Sequence, residues 1–243
     1  MRRELKIIAL TVASAGLWTV GTRAAEAAAE LDTFRVTDVE ISGLETLDRG
    51  EVLALLAVTR ESSVWASTDT WEQRLREHPL LKEAHVRRKM PGTLLVEVVE
   101  RRPVALAPTP TLEPVDGEGI RLPLDPAKQR LDLPVLETGG VPAPGARLLP
   151  ARDRMLASEV ARLMEADTAF LQMVSEVSLR DDETVVARWS EPRVEFLLTP
   201  GAPARRLREG LAVLADALAR DPQRPPTVID LRFADQVVVR RTR

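Results

Sequence analysis

The chain has 243 residues, enough for one large or two modest domains. Its apolar fraction of 44% suits a buried core and excludes wholesale disorder, while a net charge of -3 excludes capture of nucleic acid or another polyanion by bulk field. Cysteine is absent, which excludes disulfides and thiolate metal sites.

The first six residues, Met1-Arg2-Arg3-Glu4-Leu5-Lys6, are net basic, and an uncharged stretch follows over residues 7–22. Crossing the hydrocarbon core of a bilayer takes about 20 apolar residues. This stretch is short, but Leu5 and the snorkelling side chains of Lys6 and Arg23 lengthen it. Basic residues ahead of it favour a cytoplasmic N-terminus. The pattern predicts a cytoplasmic tail over residues 1–6, a transmembrane anchor over 7–23 and a linker over 24–33. A cleaved secretory signal is the rival reading, because Ala24-Ala25-Glu26-Ala27-Ala28-Ala29 offers small residues for cleavage. Either reading exports the rest of the chain.

A first domain is expected over residues 34–102. Thr37, Val39 and Ile41 alternate with Asp38 and Glu40, as in a half-buried strand that Gly43 ends. Asp48-x-x-Glu51 reads as a capping box opening a short helix through Val52, Leu55 and Leu56. Asp69-x-x-Glu72 repeats the signal, and Trp71, Leu75 and His78 place a second helix that runs until Pro79 stops it. Residues 82–89 form a strand, Pro91-Gly92 a turn, and Leu94, Val96 and Val98 one face of a further strand. This β-α-α-β-β order lets a sheet and two helices share one core.

A second domain is expected over residues 103–243. Residues 104–107, 112–115 and 120–122 read as short strands, with Val115-Asp116-Gly117-Glu118-Gly119 as a turn, and residues 133–140 lead into a loop. Leu156, Val160 and Leu163 mark a helix. Residues 174–179, 185–189 and 194–198 read as successive antiparallel strands. Pro203 opens a second helix faced by Leu207, Leu211, Leu214 and Leu218, which Asp221-Pro222 ends. Two terminal strands close the chain, over residues 227–233 and 236–240. Ile229, Leu231 and Phe233 share a face of the first, and Ala234-Asp235 is the turn between them. The fold class is α+β: an N-terminal transmembrane helix, then the β-α-α-β-β domain, then a mainly antiparallel β-domain with two helices.

No catalytic constellation assembles. The two histidines, His78 and His85, fall on different elements and read as structural rather than as a metal pair. Neither has a nucleophile elbow nearby. Gly139-Gly140-Val141-Pro142 is followed by prolines, not by the helix a phosphate loop needs. Asp181-Asp182-Glu183 has too few ligands for a calcium loop and reads as a solvated hairpin turn. Arg87-Arg88-Lys89 reads as a strand edge guarded by charge, with a lipid or peptidoglycan patch as the other reading. No cofactor is expected.

Particular phrases carry a family resemblance. They are Val39-Glu40-Ile41-Ser42-Gly43, Ser62-Ser63-Val64-Trp65, the long run from His78-Pro79-Leu80 to Pro91-Gly92-Thr93-Leu94, and the exit Glu100-Arg101-Arg102-Pro103-Val104-Ala105. In this order they resemble the POTRA domain of the FtsQ/DivIB cell-division family. Val228-Ile229-Asp230-Leu231-Arg232-Phe233 and the Val-rich run after it resemble that family's C-terminal hallmark. The resemblance implies a non-enzymatic, single-pass scaffold of the inner membrane at the division septum. Its partners would be FtsB-like and FtsL-like proteins, with no nucleic acid.

The resemblance also implies how partners are held. The terminal strand, Gln236, Val237, Val238, Val239 and Arg240, would accept a partner strand if it lies at a sheet edge. Phe233 would be an apolar anchor, with plain core packing as the other reading of that residue, and Arg232 and Arg180 would pair with acidic partner residues. Leu80, Leu81 and Lys82 occupy a stretch that implies a recruitment surface, although plain packing of Leu80 and Leu81 beneath the sheet is the simpler reading. Two other classes stand as alternatives: a POTRA-type receptor or chaperone in protein transport or outer-membrane assembly, and an extracytoplasmic cell-wall enzyme. The first needs several POTRA units or a many-stranded barrel. The second needs a convergent acid/base or metal site.

Overall fold

The computed structural model describes residues 32–108, 111–139 and 146–241. The expected tail and anchor, and most of the expected linker, lie outside these residues. Among the described residues no helix is long and apolar enough to cross a membrane. The chain divides after Glu100 into two compact units.

The first unit runs β1 (Asp38–Ser42), α1 (Arg49–Leu56), α2 (Thr68–Arg76), β2 (Leu81–Lys89) and β3 (Thr93–Glu100). Its sheet has the order β1-β3-β2, with β1 parallel to β3 and β2 antiparallel to it. The capping box forms as expected. Asp48 accepts from the Glu51 amide at 2.9 Å and Glu51 accepts from the Asp48 amide at 3.1 Å. The second such signal does not: Ser67 precedes α2 without a side-chain cap, and Asp69 sits inside the helix. α2 also ends at Arg76, ahead of His78, because a residue before proline is pushed out of the helical region. Val39, Val52, Leu56, Trp71, Leu75, Leu94, Val96 and Val98 make the core.

Glu100, buried at the end of β3, accepts from the amides of Glu45, Thr46 and Leu47 at 2.8, 2.8 and 3.1 Å. One carboxylate thus fixes the turn between β1 and α1. Gly43 in that turn has φ +87°, and a Cβ there would lie 1.9 Å from the Val98 carbonyl oxygen, so only glycine fits.

The second unit contains β4 (Ala105–Pro108), β5 (Leu112–Val115), α3 (Pro126–Gln129), β6 (Val135–Glu137), α4 (Ala151–Ala166), α5 (Thr168–Gln172), β7 (Val174–Leu179), β8 (Val185–Trp189), β9 (Val194–Leu198), α6 (Ala204–Arg220), β10 (Val228–Asp230) and β11 (Val238–Arg240). One eight-stranded sheet has the order β11-β10-β9-β8-β7-β6-β4-β5. It is mixed rather than mainly antiparallel, because β10 runs parallel to β9, and β6 parallel to both β7 and β4. The reason is the connections. α6 links β9 to β10, and α4 with α5 links β6 to β7, and a helical crossover returns the chain to the same end of the sheet. The two expected helices are α4 and α6. The short α3 and α5 start on Asp125 and Asp167, whose side chains accept from the amides of Ala127 and Phe170.

Leu156, Val160 and Leu163 of α4, Phe170 of α5, and Leu207 and Leu214 of α6 pack with Val177, Val185, Ala187, Trp189, Phe196, Leu198 and Ile229 in one core. Phe170 meets Phe196 edge-on, with ring centroids 5.2 Å apart and planes at 84°. Side chains alternate along β8, so Arg188 points away from the face that holds Ala187 and Trp189. There it meets Glu137, Glu176 and Glu195 at 2.8, 3.0 and 3.1 Å.

Candidate functional site

β11 ends the eight-stranded sheet. It pairs antiparallel with β10 alone, through Val228 with Arg240, Ile229 with Val239, and Asp230 with Val238. Among the described residues no side chain caps the backbone of Val238 or Val239. An edge strand leaves every second N–H and C=O unpaired on its outer side, ready to pair with another chain.

This edge is shorter than the alternation suggests. The strands end at Asp230 and resume at Val238, so Gln236 and Val237 belong to the connection rather than to the strand. The bend after Asp230 also breaks the expected shared face. Ile229 and Leu231 are buried, but Phe233 turns outward and is 44% exposed. Val237 packs partly against the core, and Gln236 is exposed.

Beneath the edge lies a charged knot. Asp230 is 0% exposed. Arg232 grips its carboxylate with both arms, Nε to Oδ1 at 2.9 Å and Nη2 to Oδ2 at 2.8 Å, while Arg240 on β11 stands 3.6 Å away. These contacts, led by the hydrogen bond from Arg232, hold the Asp230 pKa below the ordinary aspartate value against the opposing effect of burial. Arg232 also donates to Thr184 Oγ1 at 3.2 Å and meets Asp182 at 3.4 Å. Its guanidinium is therefore engaged within the chain. Arg180 is likewise paired, with Glu195 at 3.1 Å.

On the inner side, Arg206 of α6 reaches the carbonyls of Leu231, Phe233 and Gln236. The leucine stripe of α6 gave no hint of this residue. The only available signal was a cation in the first turn of a helix, where the dipole disfavours positive charge.

The remaining candidates fall elsewhere. Leu80 and Leu81 are buried, so Lys82 alone of that trio is exposed. The histidines are apart in role: His78 Nδ1 accepts from the Leu80 amide at 3.3 Å, and His85 lies 3.9 Å from Glu83. Asp181-Asp182-Glu183 forms the β7–β8 turn, with Asp182 accepting from the Thr184 amide. Arg87 pairs with Glu97, Arg88 donates to the carbonyls of Val64 and Ala66, and Lys89 pairs with Glu40, so this basic run is committed inside its own unit. Among the described residues no cluster of histidine and carboxylate side chains could hold a metal. Gly140, Val141 and Pro142 lie outside the described residues.

Known proteins similar to this chain agree with one another. A family model described as POTRA domain, FtsQ-type, matches residues 34–101. Cell division protein FtsQ of Rhodothermus marinus is 30% identical over 219 residues, covering 86% of this chain and 79% of that protein. The same-named protein of Salinibacter ruber is 30% identical over 249 residues, covering 96% and 93%. That of Myxococcus fulvus is 33% identical over 187 residues, covering 73% of this chain and 63% of the relative's own length. Among solved structures, the major extracytoplasmic domain of the cell division protein DivIB from Geobacillus stearothermophilus matches 50% of this chain and 97% of that one. The identity is 22% and the TM-score 0.32.

Proposed function

This chain belongs to the FtsQ family of cell-division proteins, and from that premise we propose that it is a non-enzymatic divisome scaffold that captures a partner by strand addition at β11. The partners are FtsB-like and FtsL-like proteins, met outside the cytoplasm at the division septum. Residues 7–23 anchor the chain in the inner membrane as a single span with its N-terminus in the cytoplasm. Residues 34–102 form a POTRA domain that serves recruitment, with Lys82 as its exposed candidate, and residues 103–243 form the binding domain.

The observation that carries this reading is the position of β11 at an edge of the sheet that no described side chain caps. A partner strand laid there gains main-chain hydrogen bonds, and alternate side chains select it. Phe233 offers exposed apolar surface beside that edge, and Arg240 a cation. Arg232 and Arg180 are already paired in the free chain. They brace the edge, or exchange Asp182 and Glu195 for acidic groups on the partner.

Co-purification of the full chain with the extracytoplasmic parts of the FtsB-like and FtsL-like proteins tests this, using wild type, Val238→Pro and Val239→Pro. Successive strand amides point to opposite sides, so one proline removes an outward donor and the other a donor facing β10. Both variants are expected to lose the partner while circular dichroism shows a folded chain. Capture retained by both would rule out strand addition at β11.

A further inference from the structure

Arg206 breaks two rules at once. It lies in the first turn of α6, where a cation opposes the helix dipole, and it is only 7% exposed on a helix face that feeds the core. Residues that violate local preference mark places where something else is being fixed.

What is fixed is the connection between β10 and β11. Nη2 of Arg206 donates to the carbonyl oxygens of Phe233 at 2.6 Å, Gln236 at 3.0 Å and Leu231 at 3.3 Å, while Nη1 pairs with Glu209. Nε is buried with no partner among the described residues. All three carbonyls belong to residues 231–236, where the chain has left the ladder. A tight hairpin satisfies such groups with its own amides. Here one side chain from another element does so. The pairing of β11 with β10 spans three residues, too few to hold a strand in place unaided. With its carbonyls drawn toward α6, the bend throws Phe233 outward.

We infer that Arg206 is the positioning residue of the docking edge, pinning the β10–β11 connection to α6 so that β11 is held ready for a partner strand without Arg206 touching that partner. The role of β11 as acceptor rests on the strand-addition reading; the clamp itself does not. A strand already ordered loses less freedom on binding, so the clamp acts on affinity.

Hydrogen exchange and partner titration of the full chain test this with Arg206→Met, Arg206→Lys and Glu209→Gln. In Arg206→Met, those amides of residues 238–240 that are protected in wild type should exchange at least about tenfold faster, the factor carried by one charge-assisted hydrogen bond, while β8 and β9 keep their protection. Partner affinity should fall by about tenfold or more. Arg206→Lys should recover part of both effects, since an ammonium can donate to more than one carbonyl. Glu209→Gln should show the same local pattern more weakly.

Unchanged exchange at residues 238–240 in folded Arg206→Met would overturn the clamp. Faster exchange there with unchanged affinity would overturn its bearing on docking. Loss of protection throughout the second unit, in both Arg206→Met and Glu209→Gln, would make Arg206 an ordinary core residue and overturn the proposal. If wild type captures no partner, the strand-addition reading is what fails, and exchange alone still decides the clamp.

Discussion

β2 closes one end of the first sheet and β11 one end of the second, yet the two edges meet solvent differently. Along β2, the Val86 amide donates to Glu72 at 2.9 Å and the Ala84 carbonyl accepts from Arg76 at 3.1 Å. Both partners come from α2, where they also pair with each other at 2.7 Å. Alternation places these backbone groups on the side away from β3, so a helix has capped the outer row of the edge. Charge then lines what remains, with Arg87 and Lys89 each held in an ion pair. β11 carries a single charge, Arg240, and that charge is turned to the buried Asp230 at 3.6 Å. Among the described residues no side chain caps the backbone of Val238 or Val239, and two of the strand's three residues are valines. Natural sheets close edges that are not meant to pair. The contrast teaches that binding is localised less by a motif than by where protection has been left out.

Removing Asp230 strikes the open edge hardest. Asp230→Asn takes the carboxylate from between Arg232 and Arg240 and should cost about 3 kcal/mol, the lower end for breaking a buried pair, because water still reaches Arg232. Chemical denaturation measures it. The same group sets a pH dependence. Its pKa is lowered in the folded chain, so its contribution is complete above the ordinary aspartate value near pH 4 and is lost as pH falls through the lower folded value. Wild type should therefore lose stability below about pH 4 more steeply than Asp230→Asn. Parallel slopes would refute that assignment.

The first unit's core sets a loss of comparable size. Leu81→Ala should cost about 2–5 kcal/mol, since Leu81 is buried. A recruitment defect in this variant should track unfolding, whereas Lys82→Ala should leave the melting temperature within a degree or two, as expected of an ordinary surface change. Uncapping the guarded edge comes third. Glu72→Ala leaves the Val86 amide without its acceptor, at about 1–3 kcal/mol, and should give a chain that self-associates on sedimentation. A monomeric variant would show that the cap is not what protects β2. The smallest stability change belongs to Val239→Lys, expected within about 0.5 kcal/mol because the position is half exposed. Its effect on partner capture should nonetheless be large, since it gives β11 the kind of guard that β2 carries.

Much of the fold was legible locally. β7, β8 and β9 stand where their apolar runs place them, because each run is bounded by polar turn residues and too short for a helix. Asp48 and Glu51 cap α1 across three residues, a distance that the chain itself enforces. Asp69 and Glu72 repeat that spacing and do something else, because Ser67 starts the helix and Glu72 is drawn to β2. Phe233 kept the parity of Ile229 and Leu231 on paper but not in space, since the strand ends before it. The role of Arg206 was not legible locally beyond an ill-placed charge in the first turn of α6, because the carbonyls it meets lie 25 to 30 residues further along the chain.

By itself the sequence determined most of the longer elements, the β-α-α-β-β order, most apolar faces and the phrases that mark the family, because periodicity and capping act between near neighbours. The short helices α3 and α5 went unread, and residues 120–122 hold isolated bridges rather than a strand. Which strands run parallel, which edge is capped, and which charges are already taken were decided only in the tertiary structure. Those properties depend on groups brought together from distant parts of the chain. An open edge in particular is a statement about what does not stand beside a strand, and no stretch of sequence carries it alone.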